Sequence, residues 1–206
     1  MRPSHGVSFL PLVFSSTKHR TLTVESCISF NSKMVDPRPF HILSFGTLLG
    51  VQFYQSFVSG IIAFRALPRP QFSTLQAKIF PTYFAIQTAL PVVVALTASR
   101  ADRPLGISGL LEPENKFKVL LPLATAFVTG LVNFAVLRPL TVETMRERKH
   151  QETRDGKKSY DPAPHSKEMI ALNKKFGKLH GLSSLINLVT LGATIFYGVV
   201  LSKKLN

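Results

Sequence analysis

The chain has 206 residues, of which 45% are hydrophobic and only 17% charged, with a formal net charge of +14. That length holds one domain, or two at most. Its single cysteine, Cys27, excludes an internal disulfide framework, a CxxC redox motif and a multi-cysteine zinc site.

The charges are unevenly spread: residues 39–64, 79–99, 119–137 and 179–202 contain no Asp, Glu, Lys or Arg. A helix needs about 20 mostly apolar residues to cross a bilayer, so each window is a candidate span. The expected fold is all-α: a polytopic membrane protein, a four-transmembrane-helix bundle with a basic helical third loop. Eleven of the 25 Lys and Arg fall between 138 and 178. That clustering fits a cytoplasmic loop facing a lipid bilayer with anionic headgroups, and no nucleic acid is expected as a partner. No window holds an acidic residue, which disfavours a carboxylate proton relay. The sequence also lacks GxSxG, HExxH, GxGxxG and P-loop patterns. It gives no reason to expect catalysis, a cofactor or a metal.

Residues 1–38 are rich in Ser and Thr and read as a disordered leader. Met34 opens the run MVDPRPFH, which is a plausible start and would leave 1–33 untranslated; a targeting signal is the alternative reading. The membrane domain is expected over 39–206. The first span runs over about 41–64, followed by a loop over 65–78 with Pro68 and Pro70. The second runs over about 79–99, with Pro91 inside it and a kink expected there. Residues 100–118 carry Pro104, Gly106, Gly109 and Pro113, which argue against regular structure. The third span covers 119–137.

In the third loop, Thr141–Arg154 reads as a charged helix and 155–164 as a break. Ser166 is a candidate N-cap, with Glu168 in the first turn. Met169, Leu172, Phe176 and Leu179 then recur at helical spacing. Two readings fit: a basic amphipathic helix lying on the membrane surface, or a plain extension of the fourth span, 180–201. Counting from Met34, one side carries seven Lys and Arg and the other fourteen. Residues 65–78 and 138–178 are therefore expected to face the cytoplasm. An endomembrane or the plasma membrane is expected, with a mitochondrial membrane the alternative.

Polar residues inside the spans are the informative ones. At 100° per residue, His41, Ser44, Gln52, Gln55 and Ser59 share an arc of roughly 80° on the first span. His180, Ser183, Ser184, Asn187 and Thr194 share about 100° on the fourth. Lipid cannot satisfy amides, so such stripes face other helices or water. Depth estimates put Gln55, Gln87 and Asn187 at one level, with Asn133 nearer the surface. These four are expected to form one polar intramembrane cluster. His41 and His180 lie at opposite faces and are not expected to share a metal. Gly46, Gly50, Ser56 and Gly60 form a small-residue face on the first span, suited to packing against another helix or to a homo-oligomer.

Three runs also resemble the transmembrane protein 205 family, of fungal or other eukaryotic type: SGIIAFRALPRPQFSTLQAKIFPTYF at 59–84, VNFAVLRPLTVETM at 132–145 and HGLSSLINL at 180–188. The motif residues include Pro139, Thr141, His180, Gly181, Ser183 and Ser184. The resemblance covers about 40–202 and implies a small four-span membrane protein, with no agreed reaction and no catalytic residues to transfer. Animal members carry an acidic residue where this chain has Arg138. The expected function is a non-enzymatic membrane protein, a scaffold or trafficking modulator. The alternative is a small-solute or metal-complex transporter that uses the polar stripes.

Overall fold

A computed structural model describes residues 36–100 and 103–203. Of the leader expected over 1–38, residues 1–35, with Met34 as a start or a targeting signal, lie outside the described residues, and Arg38 already begins the first helix. Four helices are long and apolar enough to cross a membrane: α1, Arg38–Ala66; α2, Arg69–Thr97; α4, Pro113–Asp155; and α5, Lys167–Ser202. A short helix α3, Gly106–Leu111, precedes α4. The architecture is all-α, apart from a two-residue antiparallel pairing of Ser99–Arg100 with Arg103–Pro104.

The long helices form a closed ring in which α1 and α4 each pack against both α2 and α5. Neighbours run antiparallel, so the start of α1 meets the ends of α2 and α5. His41 bonds there to Thr97 and to Tyr197. Large apolar side chains such as Phe53, Ile62, Leu96, Leu121, Leu185 and Val199 face outward. Polar Gln52, Gln87, Asn133, Thr190 and Thr194 are buried. A soluble bundle shows the reverse order, whereas a bundle in hydrocarbon buries the groups that lipid cannot satisfy. An apolar core, Val94, Ala98, Leu110, Val119, Leu123 and Tyr197, closes the end covered by α3.

Both sequence-derived loops are shorter than expected. Only Leu67 and Pro68 separate α1 from α2, and residues 69–78 are helical. Pro70 reads as a breaker in sequence, but it sits in the first turn of α2, where its missing N–H costs nothing. Pro81 and Pro91 both lie inside α2, which continues through them. In the second loop, α3 and an early start of α4 at Pro113 replace most of the irregular segment. The buried Asn115 donates to the Gly109 carbonyl at 2.9 Å and ties α3 to α4.

α4 has 43 residues and α5 has 36, about 65 and 54 Å at 1.5 Å per residue. A hydrocarbon core is about 30 Å thick, so both helices project well beyond it. The projecting parts pair as a hairpin. Arg148 Nε donates to Asn173 Oδ1 at 2.9 Å, and its guanidinium lies 4.5 Å from the Phe176 ring centre. Lys175 meets Glu147 at 3.0 Å. Gly156, with φ 62°, ends α4 in the left-handed conformation that glycine adopts without a Cβ clash. Ser166 caps α5, its Oγ accepting from the Met169 N–H at 3.1 Å. Because α5 runs unbroken from Lys167 to Ser202, residues 167–179 extend the span and pack on α4. The reading as a helix lying flat on the membrane surface is corrected.

Candidate functional site: the intramembrane polar layers

The buried polar side chains fall into layers along the bundle. Nearest the α3 end, His41 Nδ1 lies 3.1 Å from Thr97 Oγ1, and the Tyr197 hydroxyl lies 2.7 Å from His41 Nε2. Three helices meet at this one imidazole. Phe45 packs edge-on against Tyr197 with ring centres 5.7 Å apart. Tyr197 and His180 are seventeen residues apart on α5, about 25 Å, so the two histidines occupy separate ends.

The central layer crosses the ring diagonally, from α2 to α5. Gln87 Nε2 donates to Asn187 Oδ1 at 2.8 Å, and Asn187 Nδ2 donates to the Tyr83 hydroxyl at 2.9 Å. The Ser56 side chain of α1 lies near the same phenol. Beside it, Thr129 and Thr190 join α4 to α5 through their hydroxyls at 2.8 Å. One turn further along α5, Ser183 Oγ donates to Asn133 Oδ1 at 2.8 Å, and Asn133 Nδ2 reaches the Ser183 carbonyl at 3.4 Å.

Of the four amides expected to converge, Gln87 and Asn187 bond directly. Asn133 sits in the adjacent layer with Ser183. Gln55 does not join them: its Nε2 donates to Gln76 Oε1 at 3.3 Å. Gln76 precedes Gln87 by eleven residues, about 16 Å along α2. Two causes explain the difference. The tight turn at Leu67–Pro68 sets a register between α1 and α2 that a long loop would not impose. The π-helical segment Tyr54–Ser59 then widens α1, so the ideal 100° step fails from Tyr54 onward.

Other motif residues divide similarly. Ser183 and Thr194 face inward, whereas Gly181 and Ser184 are exposed. His180 is also exposed and stacks on Phe176 with ring centres 5.8 Å apart. Pro139 is exposed, and Thr141 Oγ1 donates to its own helix at the Leu137 carbonyl. On α1, a Cβ added to Gly46 or Gly50 would meet nothing within 4 Å, so these glycines do not pack against another helix among the described residues. A Cβ on Gly60 would meet only the Gln55 carbonyl of its own helix, at 3.3 Å.

The glycines in close contact between helices are Gly130 and Gly198. A Cβ on Gly130 would lie 3.1 Å from the Gln87 carbonyl oxygen, and one on Gly198 would lie 2.7 Å from Phe45 Cζ. Sequence reasoning missed both, because neither carries a GxxxG partner. It missed Gln76 because that residue fell in a presumed loop. Among the described residues no three His, Cys, Asp or Glu side chains gather as a metal site. The site's chemistry is that of amides and hydroxyls, with the His41 imidazole at the α3 end.

A family model described as "Domain of unknown function (DUF4149)" matches residues 43–150, more than half of the chain. The chain is also 34% identical over 167 residues to "Xanthocillin biosynthesis cluster protein D" of Aspergillus fumigatus, covering 81% of this chain and 90% of that protein. No solved structure matches the chain. By the extent of the family match and the closeness of this relative, the chain belongs to the DUF4149 family.

Proposed function

We propose that this chain is a non-enzymatic multi-pass membrane protein that acts as a scaffold or trafficking modulator. The observation that supports this most is how the central amides are used. Gln87, Asn187 and Tyr83 bond to one another across the ring, at 2.8 and 2.9 Å. Amides that satisfy each other hold helices together and have fewer valences left for a passing solute. The Aspergillus fumigatus relative is named for a xanthocillin biosynthesis cluster. That name supports a scaffold working beside enzymes of small-molecule biosynthesis at a membrane. The runs at 59–84, 132–145 and 180–188 support kinship with the transmembrane protein 205 family as well.

Cysteine labelling separates this reading from transport. With Cys27 replaced by serine, cysteine is introduced at Gln55 or Asn187 and a small aqueous thiol reagent is added to membranes. Scaffolding predicts silence at Asn187. Rapid labelling at both positions would mean a water-filled path and would favour transport.

The projecting hairpin is assigned to the cytoplasmic side, where its basic residues meet anionic headgroups. Arg138 sits at the end of the third charge-free stretch, its Nε bonded to the Phe134 carbonyl at 3.2 Å. With Pro139, Val142, Glu143 and Arg146 it lines an open groove. Protease added to sealed, cytoplasmic-side-out vesicles should cut between α4 and α5. Protection of that turn would reverse the orientation. The open Gly46–Gly50 face supports self-association through α1, because among the described residues nothing lies within 4 Å of a Cβ added at either glycine.

A further inference from the structure

Gln52 is 1% exposed, yet neither its Nε2 nor its Oε1 has a protein hydrogen-bond partner. Among the described residues only one other buried side-chain atom shares this condition, Oε1 of Gln87. Buried polar groups are nearly always paired, and in a bilayer water does not substitute from outside. Three open valences in one bundle therefore call for a partner.

The register places the two glutamines at one level. His41 on α1 stands opposite Thr97 on α2. Gln52 lies about 16 Å further along α1 from that contact, and Gln87 about 15 Å back along α2. Ser56, one turn beyond Gln52, lies near Tyr83, one turn before Gln87. The two glutamines are thus level on facing antiparallel helices. Gln87 Nε2 and Asn187 Nδ2 are already committed, to Asn187 and to Tyr83. What remains open is two amide oxygens and one NH₂ group.

That set defines the chemistry of what fits. The oxygens need a donor and the NH₂ needs an acceptor, so the guest must offer both. The surrounding groups are amides and hydroxyls, and a charged guest would find no counter-charge in a low-dielectric site. We propose that the α1–α2 seam at Gln52 and Gln87 binds a small neutral hydrogen-bonding guest, of the class of water or a simple amide or alcohol. Binding there goes beyond the scaffold reading and does not depend on it, because a trapped guest requires no continuous path.

Solid-state NMR on the full chain in lipid nanodiscs, with ¹³C,¹⁵N-labelled glutamine, tests this. The Gln52 signal is assigned by its loss in Gln52→Leu and again in Gln52→Asn, so one poorly folding variant does not block the assignment. In the wild-type chain, Gln52 Nε2 protons should receive magnetisation from water. A water contact that is insensitive to added acetamide or glycerol assigns the site to water. A saturable shift with acetamide or glycerol assigns it to an organic solute. Either result supports the proposal. A direct cross-peak from Gln52 Nε2 to Gln87 Cδ without water contact would overturn it, because the two amides would then satisfy each other. A Gln52 amide in contact with neither water, solute nor Gln87 would overturn it too.

Discussion

Replacing Gly130 by alanine should destabilise the bundle by about 1–3 kcal/mol, the usual range for forcing an extra methyl into a close-packed contact. The new Cβ would stand 3.1 Å from the Gln87 carbonyl oxygen, 3.2 Å from Thr88 Oγ1 and 3.3 Å from the Gln87 carbonyl carbon. Two of these three atoms are backbone, so no side-chain rotation relieves the clash and α2 must move off α4. Pro91 sharpens the effect. It has no N–H to offer the carbonyl four residues earlier, which is Gln87, so that carbonyl lies close to Gly130 and lacks its helical partner. Displacing α2 would also disturb the Gln87–Asn187 bond one atom group away. Thermal unfolding in mild detergent measures the loss. Gly46→Ala and Gly50→Ala are the controls: their Cβ atoms meet nothing within 4 Å, so monomer stability should be unchanged or raised by up to about 1 kcal/mol, the helix-propensity gain of alanine over glycine. Equal destabilisation by all three changes would refute the packing described here.

Replacing Asn187 by leucine should cost about 1–2 kcal/mol, by leaving one donor, Gln87 Nε2, and one acceptor, the Tyr83 hydroxyl, without their partner in a membrane interior. Asn187 accepts from Gln87 Nε2 and donates to the Tyr83 hydroxyl. Leucine does neither. The penalty should shrink when Gln87 is also made leucine, since replacing both partners by apolar groups removes the unsatisfied amide. A double-mutant cycle on unfolding free energy measures that coupling, expected at about 0.6–1.7 kcal/mol. Additive losses with no coupling would mean the diagonal bond does not contribute to holding α2 and α5 together.

The four spans were legible because a bilayer demands long charge-free stretches, and charge is visible residue by residue. The hairpin caps were legible for a similar reason: Ser166 and Gly156 act through local geometry within a few residues. Registers between helices were not. Reading residues 65–78 as a loop puts Gln55 level with Gln87, whereas the actual turn, Leu67–Pro68, sets the offset between α1 and α2. A proline at the first turn of a helix and a proline in a loop look the same in sequence. The π-helical segment at Tyr54–Ser59 has no sequence signature either, yet it turns Gln55 toward Gln76. Asn187 bonds to Gln87 and Tyr83 from a helix that runs unbroken from Lys167 to Ser202, where ordinary α periodicity applies. Gly130 was missed because close approach depends on the neighbouring helix, which a single helical wheel does not contain.

The unbroken passage of α4 and α5 out of the bilayer has a mechanical consequence. From Arg138 to Asp155 is eighteen residues, a rod of about 27 Å. Arg148, Asn173 and Phe176 lock it to its partner helix. Such a pair is a stiff mast rather than a tether. Anything that grips the tip near Gly156 acts on the membrane bundle with leverage, since a 1 Å displacement there corresponds to a tilt of about 2° over that length. The fulcrum falls near Asn133 and Ser183, the layer closest to the base of the mast. Force on the hairpin is therefore delivered first to that amide–hydroxyl pair and only then to the diagonal bond behind it.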